Sequence, residues 1–189
     1  MGRNRFQDSE IAFDGSSFVR RLLNELVDVL QDVVGSQEAR GFIAIVGARI
    51  GDSFNAAYRL AVGDRDLEES EVADAMVDLK RRIGGDFYVM QLGEDEILLG
   101  NRRCPFGDSV RGRPALCMMT SNVFGRIAAE NLGYAKVSVE EAFATGEQRC
   151  IVRVMLEGSA KTDTSPGREY FRVGAASEAD SRPAGPVDP

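Results

Sequence analysis

The chain has 189 residues, 43% of them hydrophobic, with no His, no Trp and 30 acidic against 23 basic residues, a formal net charge of −7. That length supports one sizeable core plus a tail, while the missing His excludes a Ser-His-Asp or Cys-His catalytic pair within the chain and leaves a metal only Cys, carboxylate, backbone or outside ligands. The acidic balance argues against direct nucleic-acid binding, and no apolar run approaches the ~20 residues of a membrane span; with a polar start (Met1 to Asp8) that does not read as a signal peptide, the chain reads as cytoplasmic and non-membrane.

Residues 1–15 read as a flexible arm. Asp14-Gly15-Ser16-Ser17 offers a helix cap. The helix that follows places Phe18, Leu22, Leu23, Leu26, Val29, Leu30 and Val33 at helical spacing, with Arg20, Arg21, Glu25, Asp28 and Asp32 on the other face, and stops at Gly35. It is either an ordinary packing helix or, given its wide apolar stripe, a homodimer helix. A second helix from about Gln37 to Leu60 carries Gly41, Gly47 and Gly51, each costing up to about 1 kcal/mol relative to Ala. Those glycines mark either a close backbone approach or a break. A third helix, Glu68 to Ile83, presents Val72, Ala75, Met76, Leu79 and Ile83 and ends at Gly84-Gly85. Its basic cluster Lys80-Arg81-Arg82 reads as capping and solvation of a helix end rather than as a DNA reader.

After Gly85 the pattern becomes extended. Asp86 to Leu92 and Glu96 to Leu99 predict a hairpin around Gly93-Glu94-Asp95. Asn101 to Arg113 is a loop, and Pro114 can open a helix that runs to Asn131 and ends at Gly133. Lys136 to Phe143 and Arg149 to Leu156 predict a second hairpin around Thr145-Gly146. The order gives an α+β domain over 16–157, with N-terminal helices packed on an antiparallel sheet of two hairpins and a connecting helix. The tail, 158–189, is expected to be mostly disordered, Tyr170-Phe171-Arg172-Val173 being its one apolar run.

Three cysteines, Cys104, Cys117 and Cys150, fall at three element boundaries and are candidates for one shared site. An odd count in a reducing compartment points away from a disulfide framework. Cys117 is expected in the first turn of its helix, where the dipole favours a thiolate. Arg102, Arg103, Arg111 and Arg113 flank the loop and would stabilise thiolates or an anionic ligand. Cys150 shares a strand face with Val152, Val154 and Leu156, so it points inward, as a ligand or as a plain core thiol. The trio suggests zinc, an iron–sulfur cluster or a redox switch, with Glu147 as the candidate fourth ligand.

Asn101-Arg102-Arg103-Cys104-Pro105-Phe106-Gly107, Pro114 to Gly125 and Ala128 to Val137 resemble the methanogen output domain, a family accompanying prokaryotic sensory and regulatory proteins. The likeness spans roughly 16–157 and is densest over 101–156. More distantly, the chain resembles 4-vinyl-reductase sensor domains. Its Cys-x12-Cys step and Gly146-Glu147-Gln148-Arg149-Cys150 turn are similar to those of iron–sulfur winged-helix repressors, which use a further cysteine that this chain lacks. The resemblance implies a stand-alone sensor or output module that responds to redox state, a metal or a small ligand through the cysteines and signals to a regulatory protein partner. The alternative is a cysteine-dependent, reductase-like enzyme acting on a small molecule, with Cys104 or Cys117 as nucleophile and Asp108 or Glu147 as base.

Overall fold

Asp14 opens the first helix as its position predicts: its carboxylate accepts from Ser17 N at 2.7 Å while Ser17 Oγ accepts from Asp14 N at 2.9 Å, a reciprocal capping box. The computed structural model describes residues 14–156 and 165–173. The chain divides into two units, 1–39 and 40–189. In the first, α1 (Gly15–Val34) buries Val27 alone among its residues and exposes Phe18, Val19, Leu22, Leu26, Val29 and Val33. Gly35 ends it at φ 87°, a backbone that favours glycine.

The larger unit follows the expected α+β order. It holds the greater part of α2 (Ser36–Ala61), then α3 (Glu69–Arg82), β1 (Phe87–Gly93), β2 (Glu96–Asn101), a 3-10 turn at Gly107–Val110, α4 (Pro114–Leu132), β3 (Tyr134–Glu141), a second 3-10 turn at Phe143–Thr145, β4 (Cys150–Met155) and β5 (Arg168–Phe171). All strand pairs are antiparallel, in the order β1-β2-β4-β3-β5. Alternation sends Ile97, Leu99, Val137, Val152 and Val154 to one buried face, where they meet Val72, Met76 and Leu79 of α3 and Phe124, Ile127 and Ala128 of α4. The domain reaches past residue 157, since β5, drawn from the segment expected to be tail, adds a strand to the edge of β3.

Helix α2 is continuous through its glycines; Gly41 faces open space, while Gly47 and Gly51 serve close approach. A Cβ at Gly47 would stand 2.8 Å from Asn122 Cβ, and one at Gly51 2.8 Å from Arg126 Cβ and 3.2 Å from Val123 Cα. Helices α2 and α4 therefore cross nearly backbone to backbone, tied by Arg126 Nε to Asp52 at 2.7 Å and Asn131 Nδ2 to Asn55 at 2.6 Å. Gly125 plays the same part toward β5: the Tyr170 ring would lie 2.2 Å from its Cβ, and the Tyr170 hydroxyl meets Ser121 Oγ at 3.1 Å and donates to Asn122 Oδ1 at 3.2 Å.

Candidate functional site

The three cysteines line one pocket in the larger unit. Cys104 comes from the loop after β2, Cys117 from the first turn of α4 and Cys150 from the start of β4. Around them stand Phe87, Asn101, Pro105, Phe106, Val110, Leu116, Thr120, Val139 and Val152. The sheet register fixes part of this, because Asn101 of β2 pairs directly with Cys150 of β4. Pro114 at the head of α4 starts the helix so that Leu116, Cys117 and Thr120 face the sheet. The space open to the centre of a water molecule is about 20 Å³, room for a water or two. All three cysteines are free.

Lys80 of α3 lies behind the pocket wall, against its lining residues Thr120 and Phe87. It is 4% exposed. Its ammonium donates to Thr120 Oγ1 at 2.8 Å and lies 5.4 Å from the Phe87 ring centroid and 5.1 Å from that of Phe124. No carboxylate lies within ion-pair distance of it among the described residues. Burial lowers its pKa from 10.5 to about 8, against the opposing pull of the Cys104, Cys117 and Cys150 sulfurs. At neutral pH the site thus holds one buried positive charge among three thiols.

The thiols are held protonated. Burial drives Cys117 up to about 12, Cys150 and Cys104 add to the rise, and Lys80 and the Ala144 backbone N–H oppose it. Burial thus acts against the thiolate that the first-turn position of Cys117 would favour. Cys150 is also raised by burial, with the Phe143 N–H, the Asn101 side chain and Lys80 opposing. Cys104 is raised by burial and held down by the Phe106 and Gly107 amides and by Lys80.

Three of the four arginines line a second pocket of about 240 Å³, formed by Arg102, Arg103, Cys104, Gly107, Asp108, Val110, Arg111 and Phe143. Cys104 and Val110 line both pockets and so make the wall between them. Arg113 instead donates to Ser109 O at 2.8 Å and precedes α4. Glu147 is exposed in the β3–β4 connection and does not line the cysteine pocket. Among the described residues no group of three or more Cys, Asp and Glu is placed to hold a metal ion.

The model of the family described as "Methanogen output domain 1" matches residues 22–155. The chain belongs to this family. No curated protein matches the output domain. Among solved structures it is similar to the phenol-responsive sensory domain of the transcription activator PoxR with phenol, at 13% identity and a TM-score of 0.61, covering 75% of this chain and 77% of that one. It is also similar to a trafficking protein particle complex subunit 3 from Naegleria fowleri covalently bound to palmitic acid, at 15% identity and a TM-score of 0.53, covering 75% and 95%. These likenesses establish a shared fold. No helix of the described output domain is long and apolar enough to cross a membrane.

Lys80 is the residue of this output domain that the sequence reading missed. A signal was present: Val72, Met76 and Lys80 are spaced i, i+4, i+8, so the lysine falls on the buried stripe of α3 while Arg81 and Arg82 turn outward to Asp78.

Proposed function

We propose that the chain is a sensor and output module whose input is the pocket of Cys104, Cys117 and Cys150 and whose output is read by a protein partner. The observation that carries this reading is that three thiols, from a loop and two separate elements, line one small apolar pocket, with the buried Lys80 ammonium behind its Thr120 and Phe87. Such a pocket has no room for a substrate, but a change at any thiol must move a wall. One wall is α4, whose opposite side meets Gly47 and Gly51 of α2. Interdigitated backbones cannot slide independently, so a shift of α4 reaches α2. An output-domain family supports a regulatory role, and PoxR offers a case of the same fold responding to phenol.

The stimulus is a small thiol-reactive molecule or a change in redox state, acting at the thiols. The partner surface is apolar: α1 exposes the stripe from Phe18 to Val33. A second copy of the chain docks through α1, and a regulatory protein reads the result.

Amide exchange tests this. Treatment of the reduced protein with N-ethylmaleimide should alter exchange in α4 and in α2 around residues 47–55. A Cys104→Ala, Cys117→Ala, Cys150→Ala chain should show no response to the reagent. Modified thiols with an unchanged α2 would confine the effect to the pocket and remove the sensor reading.

A further inference from the structure

Cys104 differs from the other two thiols in what it touches. It is half-buried and lines both the small thiol pocket and the roomier pocket of Arg102, Arg103 and Arg111. Neither Cys117 nor Cys150 lines that larger pocket. The arginines are placed rather than loose. The Arg102 guanidinium stacks over the Tyr88 ring at 4.0 Å, and Arg103 Nε donates to Gly84 O at 3.1 Å. Arg111 pairs with Asp108 only at 3.8 Å, and Asp108 is the one carboxylate in the lining. The pocket therefore presents three guanidinium groups against one carboxylate, with a sulfur in its wall.

We propose that Cys104 is a site of reversible S-thiolation by a small anionic disulfide, which Arg102, Arg103 and Arg111 recognise. The proposal rests on the reading of the cysteine pocket as an input site and names the chemical class of the input. Three features converge on Cys104. The larger pocket admits a group that the thiol pocket, with space for only a water or two, cannot. The guanidinium fork suits the carboxylates that such disulfides carry at their ends. On the inner side burial raises the Cys104 thiol, and the Phe106 and Gly107 amides and the buried Lys80 ammonium oppose that rise and steady the minor fraction of anionic sulfur that attacks.

The step balances without a further oxidant. The Cys104 thiolate attacks one sulfur of the disulfide, a new S–S bond forms as the old one breaks, and the second half leaves as a thiolate that takes up the proton Cys104 gave to solvent. Cys104 is oxidised and the disulfide is reduced. Excess small thiol reverses the step.

Reduced protein is exposed anaerobically to oxidised glutathione and, separately, to the neutral bis(2-hydroxyethyl) disulfide, and the adducts are located by peptide mass mapping. The expected result is one adduct, on Cys104. An Arg102→Gln, Arg111→Gln chain should lose roughly tenfold in rate toward oxidised glutathione, the lower end of what a charged cleft supplies, and should keep its rate toward the neutral disulfide. Raised salt should reproduce the loss for oxidised glutathione alone. Adducts on Cys117 or Cys150, or equal losses for both disulfides, would overturn the assignment. A charge-selective adduct on Cys104 that leaves α2 exchange unchanged would uphold this site and sink the sensor reading. A maleimide response in α2 without charge selection at Cys104 would do the reverse.

Discussion

Replacing Lys80 by Met removes the buried cation and keeps an unbranched side chain of similar length. Folding takes this ammonium from 10.5 to about 8. At about 1.4 kcal/mol per pH unit, holding it charged below pH 8 costs the fold about 3 kcal/mol. Its hydrogen bond to Thr120 and its place beside Phe87 and Phe124 return part of that. Lys80→Met should therefore be more stable than the parent at pH 7 by about 1–2 kcal/mol. The pH dependence gives the sharper test. Between pH 8 and 10.5 the unfolded chain binds this proton and the folded chain does not, so the parent gains stability with rising pH and the variant's advantage shrinks. The thiols act in the opposite sense in both proteins. Their raised values mean that the folded chain keeps protons longer, so stability falls as pH rises through and above the ordinary thiol value of 9. The difference between parent and variant largely isolates Lys80. Urea unfolding followed by circular dichroism, at pH 7 and at several values up to 10 under reductant, measures it. A difference that stays constant across this range, or a parent that is the more stable at pH 7, would refute a desolvated ammonium at this position.

Gly125→Ala must displace the Tyr170 ring, 2.2 Å from the new methyl, and should cost about 1–3 kcal/mol in urea unfolding; no loss would mean that β5 does not lie across α4. The apolar stripe of α1 predicts a mass of two chains by light scattering at micromolar concentration, reduced to one chain by Leu22→Glu with Leu26→Glu, since both positions are exposed. A parent of one-chain mass would remove the dimer. Protein purified without oxygen should carry zinc and iron well below one atom per chain, because no ligand group of sufficient size is assembled among the described residues; a full equivalent of either would restore the metal reading.

Helix positions were legible because their punctuation is local: Asp14 and Gly35 bracket α1, Pro114 and Gly133 bracket α4, and each acts through its own backbone. The inward face of Cys150 followed from strand alternation alone. Gly47 and Gly51 announced that something comes close without saying what, because the identity of α4 as their neighbour is a tertiary fact. Strand β5 was hidden by its setting in a polar segment; it exists because Tyr170 finds a slot over Gly125, some 45 residues earlier in the chain. Lys80 was read as a helix-end charge from its place in the last turn of α3. Its burial depends on Phe87, Phe124 and Thr120 arriving from other elements.

Coupling between the thiol pocket and α2 must be reciprocal if it exists. Gly51→Ala pushes α2 away from α4, since the new methyl meets Arg126 Cβ at 2.8 Å and Val123 Cα at 3.2 Å, and neither of these residues nor Gly51 lines the pocket. The measurement is the rate at which N-ethylmaleimide modifies Cys117 in the native, reduced protein, compared between the parent and Gly51→Ala. The account predicts a rate change of about fivefold or more, the lower end of ordinary allosteric coupling. An unchanged rate, with amide exchange showing that α2 has moved, would contradict it.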